Sequence, residues 1–373
     1  MKAGIITHYN VHNHGAQLQL YALSQILKDF GYDARALQFN KSYDFMDLNS
    51  SEKYNISFKS IPIYVKYLFN NGLRRTLFNI KKRRILNRFR IDNQLNGEYY
   101  SKAKKLDLVV IGSDEIFSIE SGLNPCFFGM GVPCNHIISY GASFGPTTID
   151  LISKLNAMCF VKAGLEQIDE ILVRDENSRR IVESLSIKKP KIVCDPVLLY
   201  DFRSNCSKDI DAFTKRMKKD YCIVYSYDYN MNDPETISSI RKYAFENNLQ
   251  VVSIGYFHKW CDKNLQLKPL DVFKWFAGAK MVFTDTFHGT VISLATHTQF
   301  VVKITTNINK LGYLLEQYDV TNRKVNNFHE LFVVTNDMID YTKTGYRIEK
   351  IRTDSLFLLK NAIENRETKD IRK

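Results

Sequence analysis

Short apolar runs alternate along the chain with stretches whose apolar residues recur every three or four positions, the pattern of strands feeding helices. KAGIIT (2–7) reads as a buried strand, and Ala16, Leu20, Leu23, Leu27 and Phe30 then follow at helical spacing until Gly31 offers a stop. DARALQF (33–39), LDLVVIGSD (106–114) and HIISYGAS (136–143) predict further strands, the last two ending in small residues. A helical stretch near 148–164 leads to a strand at 171–173 and a helix whose first turn carries Asp175 and Glu176, suited to the positive end of its dipole. IVCDPVLL (192–199) closes this half, and the polar stretch 200–220, without apolar periodicity, marks the boundary. The alternation restarts with YCIVYSY (221–227), a helix from about Pro234 to Phe245, LQVVSIG (249–255) and a helix over 269–278. KMVFTD (280–285) and FVVKI (300–304) flank another helix, and a helix over 348–366 ends the chain. Such alternation predicts an α/β protein of two Rossmann-like domains facing a cleft, residues 1–205 and 206–345, with a C-terminal helix (346–373) packing back across the hinge.

Composition agrees with a folded chain. At 373 residues, two cores of ordinary size are expected. Seven cysteines without a Cys-x-x-Cys pair read as reduced thiols. The opening MKAGIITHYN is too short in apolar run for a secretory signal, and no segment approaches the length of a membrane span. A cytoplasmic protein is the expectation. The net charge of +12 is concentrated: residues 52–105 hold 14 Lys and Arg against three acids. Within this basic helical insertion, IPIYVKYLFNNGLRRTLFNIKKRRILNRFR interleaves apolar residues with cations, as a core-packed helical pair with a solvated basic face would. Helices lying on anionic membranes share the pattern, so peripheral contact with the inner membrane face is a second expectation. No nucleic-acid-binding motif accompanies the charge, and nucleic acid is not an expected partner.

Candidate chemistry gathers where strands end, since ligands of open parallel sheets lie beyond the strands' carboxyl ends. TDTFHGT (284–290) places His288, Gly289 and Thr290 where a strand hands over to a helix N-terminus, a setting that favours phosphate or carboxylate. Gly289 would permit close approach of backbone to ligand, and His288 can donate to an anion or move a proton near neutral pH. GSDEIF (112–117) puts Ser113 and Asp114 at another strand end, where Asp114 either caps a helix or orients a hydroxyl. Arg174 follows a third strand and suits the bidentate grip of carboxylate or phosphate. His8, His12 and His14 share the first loop, but no acid or cysteine nearby completes a metal site, and no metal is expected. Neither a dinucleotide Gly-x-Gly-x-x-Gly nor a P-loop occurs.

These elements resemble those of the polysaccharide pyruvyl transferases, which move pyruvate from phosphoenolpyruvate onto sugar hydroxyls as a ketal. The opening strand and loop carry an Asn-x-Gly-Ala-x-Leu-Gln element through Asn13, Gly15, Ala16, Leu18 and Gln19. GSDEIFS is similar to the family's Gly-Ser-Asp-Gln-hydrophobic-Trp element, VRDENS to its Arg-Asp/Glu-x-x-Ser element, CDPVLL to its Asp-Pro-Val/Thr-Leu-Leu element and TDTFHGTVISL to its Asp-Ser-Phe-His-Gly-Thr signature. The order matches along nearly the whole chain. Lys310, in NINKLGYLL, stands where the family usually has Arg, and Glu115 and Phe117 stand for its Gln and Trp.

The resemblance implies a GT-B-like fold and a role in capsule, exopolysaccharide or cell-wall polymer synthesis. It assigns phosphoenolpyruvate binding to Arg174 of the first domain and to His288, Gly289, Thr290 and Lys310 of the second, the donor side. Asn13, Gly15, Gln19, Ser113 and Asp114 would face the sugar or lipid-linked oligosaccharide acceptor from the first. His288 is the expected proton donor and Asp114 the expected base. No cofactor beyond the donor substrate is implied. Two rival readings share the architecture: a GT-B glycosyltransferase using a nucleotide sugar, and a non-catalytic sugar-binding relative.

Overall fold

The computed structural model describes residues 1–40, 44–46, 61–120, 122–216, 219–304 and 308–365. The first half is a seven-stranded sheet of β1 (Lys2–Ile6), β2 (Asp33–Gln38), β3 (Asn96–Tyr99), β4 (Leu108–Ile111), β5 (Ile137–Ala142), β6 (Glu170–Val173) and β7 (Lys191–Ile192). The second is a six-stranded sheet of β8 (Tyr221–Tyr225), β9 (Gln250–Ile254), β10 (Lys263–Leu265), β11 (Met281–Thr284), β12 (Phe300–Lys303) and β13 (Lys324–Val325). Their orders are β3-β2-β1-β4-β5-β6-β7 and β10-β9-β8-β11-β12-β13, and every pairing is parallel. Parallel strands need crossovers that cover both faces, which is why the central ones, such as LVVI in β4, are apolar and buried throughout. In each sheet the chain reverses its direction of winding at the first strand, between β1 and β4 and between β8 and β11. A crevice therefore opens at the carboxyl ends of those pairs.

Three strands escaped the apolar pattern: β3, β10 and β13 are short, lie at sheet edges and carry polar residues. The stretch 200–220 is also more ordered than its polarity predicts. Helices Phe202–Asn205 and Ser207–Arg216 occupy most of it, and Phe202 stacks on Phe273 with ring centroids 4.1 Å apart. IVCDPVLL is split into β7 and the helix Pro196–Leu199, because Asp195 turns and caps the chain through Val197 N at 3.0 Å. The last helix runs Tyr341–Glu364. Tyr341 Oη donates to Thr298 O in the second half, whereas Ser355 Oγ accepts from Cys194 N and His136 Nε2 meets Ile363 O in the first. It thus packs back across both.

The basic segment is a crossover of the first sheet. Its described part is the helix Ile61–Asp92, broken at Gly72, whose φ of 72° and ψ of 157° no helix contains. From there to Asp92 the helix joins β2 to β3, burying Phe78, Leu86 and Phe89. Its cations are not all solvated, as the basic-face reading supposed. Arg90 is buried and donates to Tyr9 O at 3.1 Å, Arg75 pairs with Asp228 of the second half at 2.7 Å, and the Lys82 ammonium lies 4.6 Å from the Tyr256 ring centroid. Burial pushes Lys82 down to about 8. Residues 52–60 of the segment lie outside the described ones. All seven cysteines are unpaired, and among the described residues no helix is long and apolar enough to cross a membrane.

Candidate active site

The loops after β1, β4 and β6 meet the turn after β11 in the crevice between the sheets. The turn is built by its threonines. Thr284 Oγ1 donates to Tyr225 O at 2.6 Å, and Thr286 caps the helix Phe287–Thr296 by accepting from Gly289 N at 2.9 Å. A Cβ at Gly289 would stand 2.1 Å from Thr284 Oγ1, so glycine is needed there for packing within the turn. Thr290 Oγ1 is likewise used inside the helix, on Thr286 O. Gly289 N and Thr290 Oγ1 are thus both engaged with Thr286, where they hold the cap in shape.

His288 is half-buried, but its Nε2 is shielded from solvent and has no hydrogen-bond partner. Burial pulls its pKa below the usual imidazole value, against the opposing pull of Asp114 and Asp195, so the ring is neutral at pH 7. Gly15 supports it from the other half. A Cβ there would lie 2.1 Å from His288 Cγ, so only glycine lets the first helix, His14–Asp29, reach the ring.

Arg174 follows β6 and reaches two carboxylates, Nη1 to Asp195 at 3.0 Å and Nη2 to Asp114 at 3.4 Å. Its guanidinium carbon sits 4.3 Å from the Phe287 ring centroid, which ties the first half to the second. Burial would weaken the charge, but Asp114 and Asp195 outweigh it and hold the pKa above its ordinary value. Asp114, at φ 70°, is half-buried beside Arg174. The desolvation that would raise its pKa is overcome by Arg174, Lys310 and His288, so its carboxyl titrates well below the usual range. A carboxylate held so firmly in the charged form is a weak base. The side-chain partner of Asp114 is Arg174, so Asp114 is placed to orient that guanidinium.

Lys310 lies on the helix Ile308–Gln317 and pairs with Glu115 across the crevice, its Nζ 5.3 Å from the Phe287 ring. Two of the three positions that depart from the motif pattern thus contact each other. A small pocket behind the pair is lined by Arg174, Asp175, Asp195, Phe287, Lys310 and Tyr313.

The remaining acceptor-side residues serve the site mostly from behind. Asn13 caps the first helix by accepting from Ala16 N at 2.7 Å. Gln19 is 1% exposed and donates to Asp195 Oδ2 at 2.5 Å. Ser113 is buried, with an unpartnered Oγ. Sequence reasoning quoted Asp195 without giving it a role, although an Asp-Pro pair opening a helix announces a cap. It also missed the Phe287 ring shared by Arg174 and Lys310. The three loop histidines diverge: His8 Nε2 approaches Glu115 O at 3.5 Å, His14 Nε2 bonds Leu267 O at 3.0 Å, and His12 faces Arg83 and Asn87. Among the described residues no cluster of His, Cys, Asp or Glu suits a metal ion.

The sequence profile of the polysaccharide pyruvyl transferases matches residues 13–305, a span that takes in every side chain of this site except Lys310. The chain belongs to the polysaccharide pyruvyl transferase family. Membership makes it a transferase of polysaccharide biosynthesis. No curated protein matches it significantly. Among solved structures it is similar to the UDP-GlcNAc 2-epimerase of Methanocaldococcus jannaschii in complex with UDP-GlcNAc and UDP. That likeness has a TM-score of 0.50 at 12% identity and covers 95% of this chain and 100% of that one. The UDP-GlcNAc 2-epimerase of Neisseria meningitidis gives 0.50 at 11%, over 98% of this chain and 100% of its own. A putative UDP-N-acetylglucosamine 2-epimerase of Listeria monocytogenes gives 0.52 at 12%, over 97% and 96%. At such identities the likeness concerns the fold, which is GT-B-like: two Rossmann-like units with the pyruvyl transferase motifs facing each other between them.

Proposed function

We propose that the protein transfers pyruvate from phosphoenolpyruvate to a pair of sugar hydroxyls, forming a cyclic ketal and releasing phosphate. The observation that carries this reading is the meeting of Arg174, Lys310 and an unpartnered, neutral His288 at one helix N-terminus. Two fixed cations beside a helix N-terminus match a substrate with a phosphate and a carboxylate on one carbon. His288, neutral before substrate arrives, accepts the proton of the attacking hydroxyl and passes it to C3, while the hydroxyl oxygen bonds to C2. The methylene becomes a methyl group. The second hydroxyl then bonds to C2 as the bond to phosphate breaks, and its proton leaves with the phosphate. Asp114 and Asp195 keep Arg174 charged and oriented throughout, an electrostatic arrangement in place before reaction. The first half takes the acceptor and supplies Arg174 to the donor, whose other ligands come from the second half. No cofactor enters the scheme.

Phosphate release from phosphoenolpyruvate, followed against a panel of glycosides, tests the reading. Turnover with at least one vicinal or 1,3-diol acceptor and its loss in His288→Ala are expected; full turnover in that variant would sink the role of His288. Thermal shift separates the donor classes, since phosphoenolpyruvate is expected to raise the melting temperature and UDP to leave it unchanged.

A further inference from the structure

The helix that leads into β3 is apolar on two sides, and the fold uses one. At 3.6 residues per turn, Leu73, Leu77, Ile80 and Ile91 fall within an arc of roughly 60°, opposite Phe78, Lys82, Leu86 and Phe89. The second group is buried, whereas the first is 66%, 56%, 44% and 58% exposed. Arg84 lies inside the exposed arc, Arg74, Lys81 and Arg88 border it on one side, and Arg83 on the other; all five are exposed. Arg88 pairs with Asp92 at 2.7 Å, and the described residues offer the other four no carboxylate within ion-pair distance. Water is a poor environment for both features: the apolar side chains stay hydrated, and the cations repel one another.

We propose that this outer face lies on an anionic phospholipid surface, with the four apolar side chains entering the headgroup region and the cations pairing with lipid phosphates. A nucleic acid would neutralise the cations but leave the apolar arc in water. A second copy docking through the same face would set one cluster of cations against another. Only an interface that is apolar beneath and anionic at its surface answers both. The inner side of the same helix borders the crevice through Arg75 and Asp228, 2.7 Å apart, and through Phe78 and Phe257, with ring centroids 5.7 Å apart. Docking therefore turns this edge of the crevice toward the bilayer. A lipid-borne acceptor could then be met there, a consequence that rests on the proposed transfer, whereas the docking itself does not.

Flotation of the full chain with vesicles tests the proposal without turnover. Binding is expected to vesicles of phosphatidylcholine with phosphatidylglycerol, to be absent with phosphatidylcholine alone, and to fall as salt screens the charges. Each cation near an anionic surface contributes about fivefold to partitioning, so Arg74→Gln/Lys81→Gln/Arg84→Gln should weaken it by about a hundredfold. Leu73→Ser/Leu77→Ser should weaken it through the apolar arm. All these positions are exposed, so unchanged melting and unchanged phosphate release with a soluble acceptor are expected of both variants. Absent flotation of the natural protein, equal binding to both vesicle types, or undiminished binding by the triple variant would each overturn the proposal.

Discussion

Glu115 sits on Lys310 where the donor is proposed to bind, and Glu115→Gln isolates what that carboxylate does. The substitution keeps the shape and a neutral acceptor for Lys310 Nζ while removing one negative charge from the crevice. A donor anion held by Lys310 would stand about 6 Å from the carboxylate, where like charges repel by about 3 kcal/mol at an effective dielectric near 20. The Glu115 side chain is 29% exposed and that of Lys310 13%, so solvent screens much of this. About 1 kcal/mol remains, equivalent to a fivefold change in affinity. Initial rates of phosphate release with phosphoenolpyruvate varied at saturating acceptor should give a KM roughly fivefold lower in the variant. Its kcat should change little, because Glu115 is assigned no proton to move. An unchanged or raised KM would refute the placement of the donor on Lys310. A large fall in kcat would instead make Glu115 part of the chemistry.

Gly15→Ala puts a methyl group where the His288 ring now lies, and should lower kcat/KM by at least tenfold at a stability cost of about 1–3 kcal/mol. Circular dichroism and steady-state rates check it, and normal rates would dissociate His288 from the chemistry. Asp195→Ala leaves buried Arg174 short of one partner and Gln19 of its acceptor, so urea unfolding should show about 3–5 kcal/mol lost, against less for Asp195→Asn. An unchanged midpoint would mean that Arg174 is not held by Asp195. Because burial lowers the pKa of His288 and the neutral ring is the active form, kcat/KM should be flat above neutrality and fall as pH drops through that lowered value. A decline on raising the pH through 6.5 would show that the protonated ring is the form required.

Much of this was legible before any coordinates. Central strands such as IIS in β5 and VFT in β11 are recognisable because a parallel sheet covered on both faces demands unbroken apolar runs. Edge strands β3, β10 and β13 were not, since half-exposed residues such as Asn96 and Asn264 carry no such signature. The helix over 73–92 misled for a different reason. With apolar residues on both its protein face and its outer face, its periodicity cannot show which side is buried, and cations such as Lys82 and Arg90 are read as solvated although they are not. Within the site, Arg174, Asp114 and His288 were found because each ends or follows a strand. Their order of dependence was not: that Gln19 holds Asp195, which holds Arg174, joins residues 176 and 21 positions apart and exists only in three dimensions.

The spatial pairing also changes what two of the departures from the motif pattern mean. Read along the chain, Glu115 and Lys310 are separate losses, one of an amide and one of a guanidinium fork. In the fold they form one ion pair between the two halves, beside Phe287, whose ring also receives Arg174. Lysine in place of arginine gives up bidentate geometry, but it gains a compact charge that a single carboxylate can hold while the crevice is empty. An incoming dianion competes for that lysine with more charge than Glu115 has. If the donor binds as proposed, it would exchange partners at Lys310 and loosen one contact joining the halves. Other bridges between the halves, Arg75 to Asp228 and His14 to Leu267 among them, involve none of the proposed donor ligands and can stay closed through such an exchange. On the proposed donor assignment the pair would act as a local latch, one whose release leaves those bridges in place.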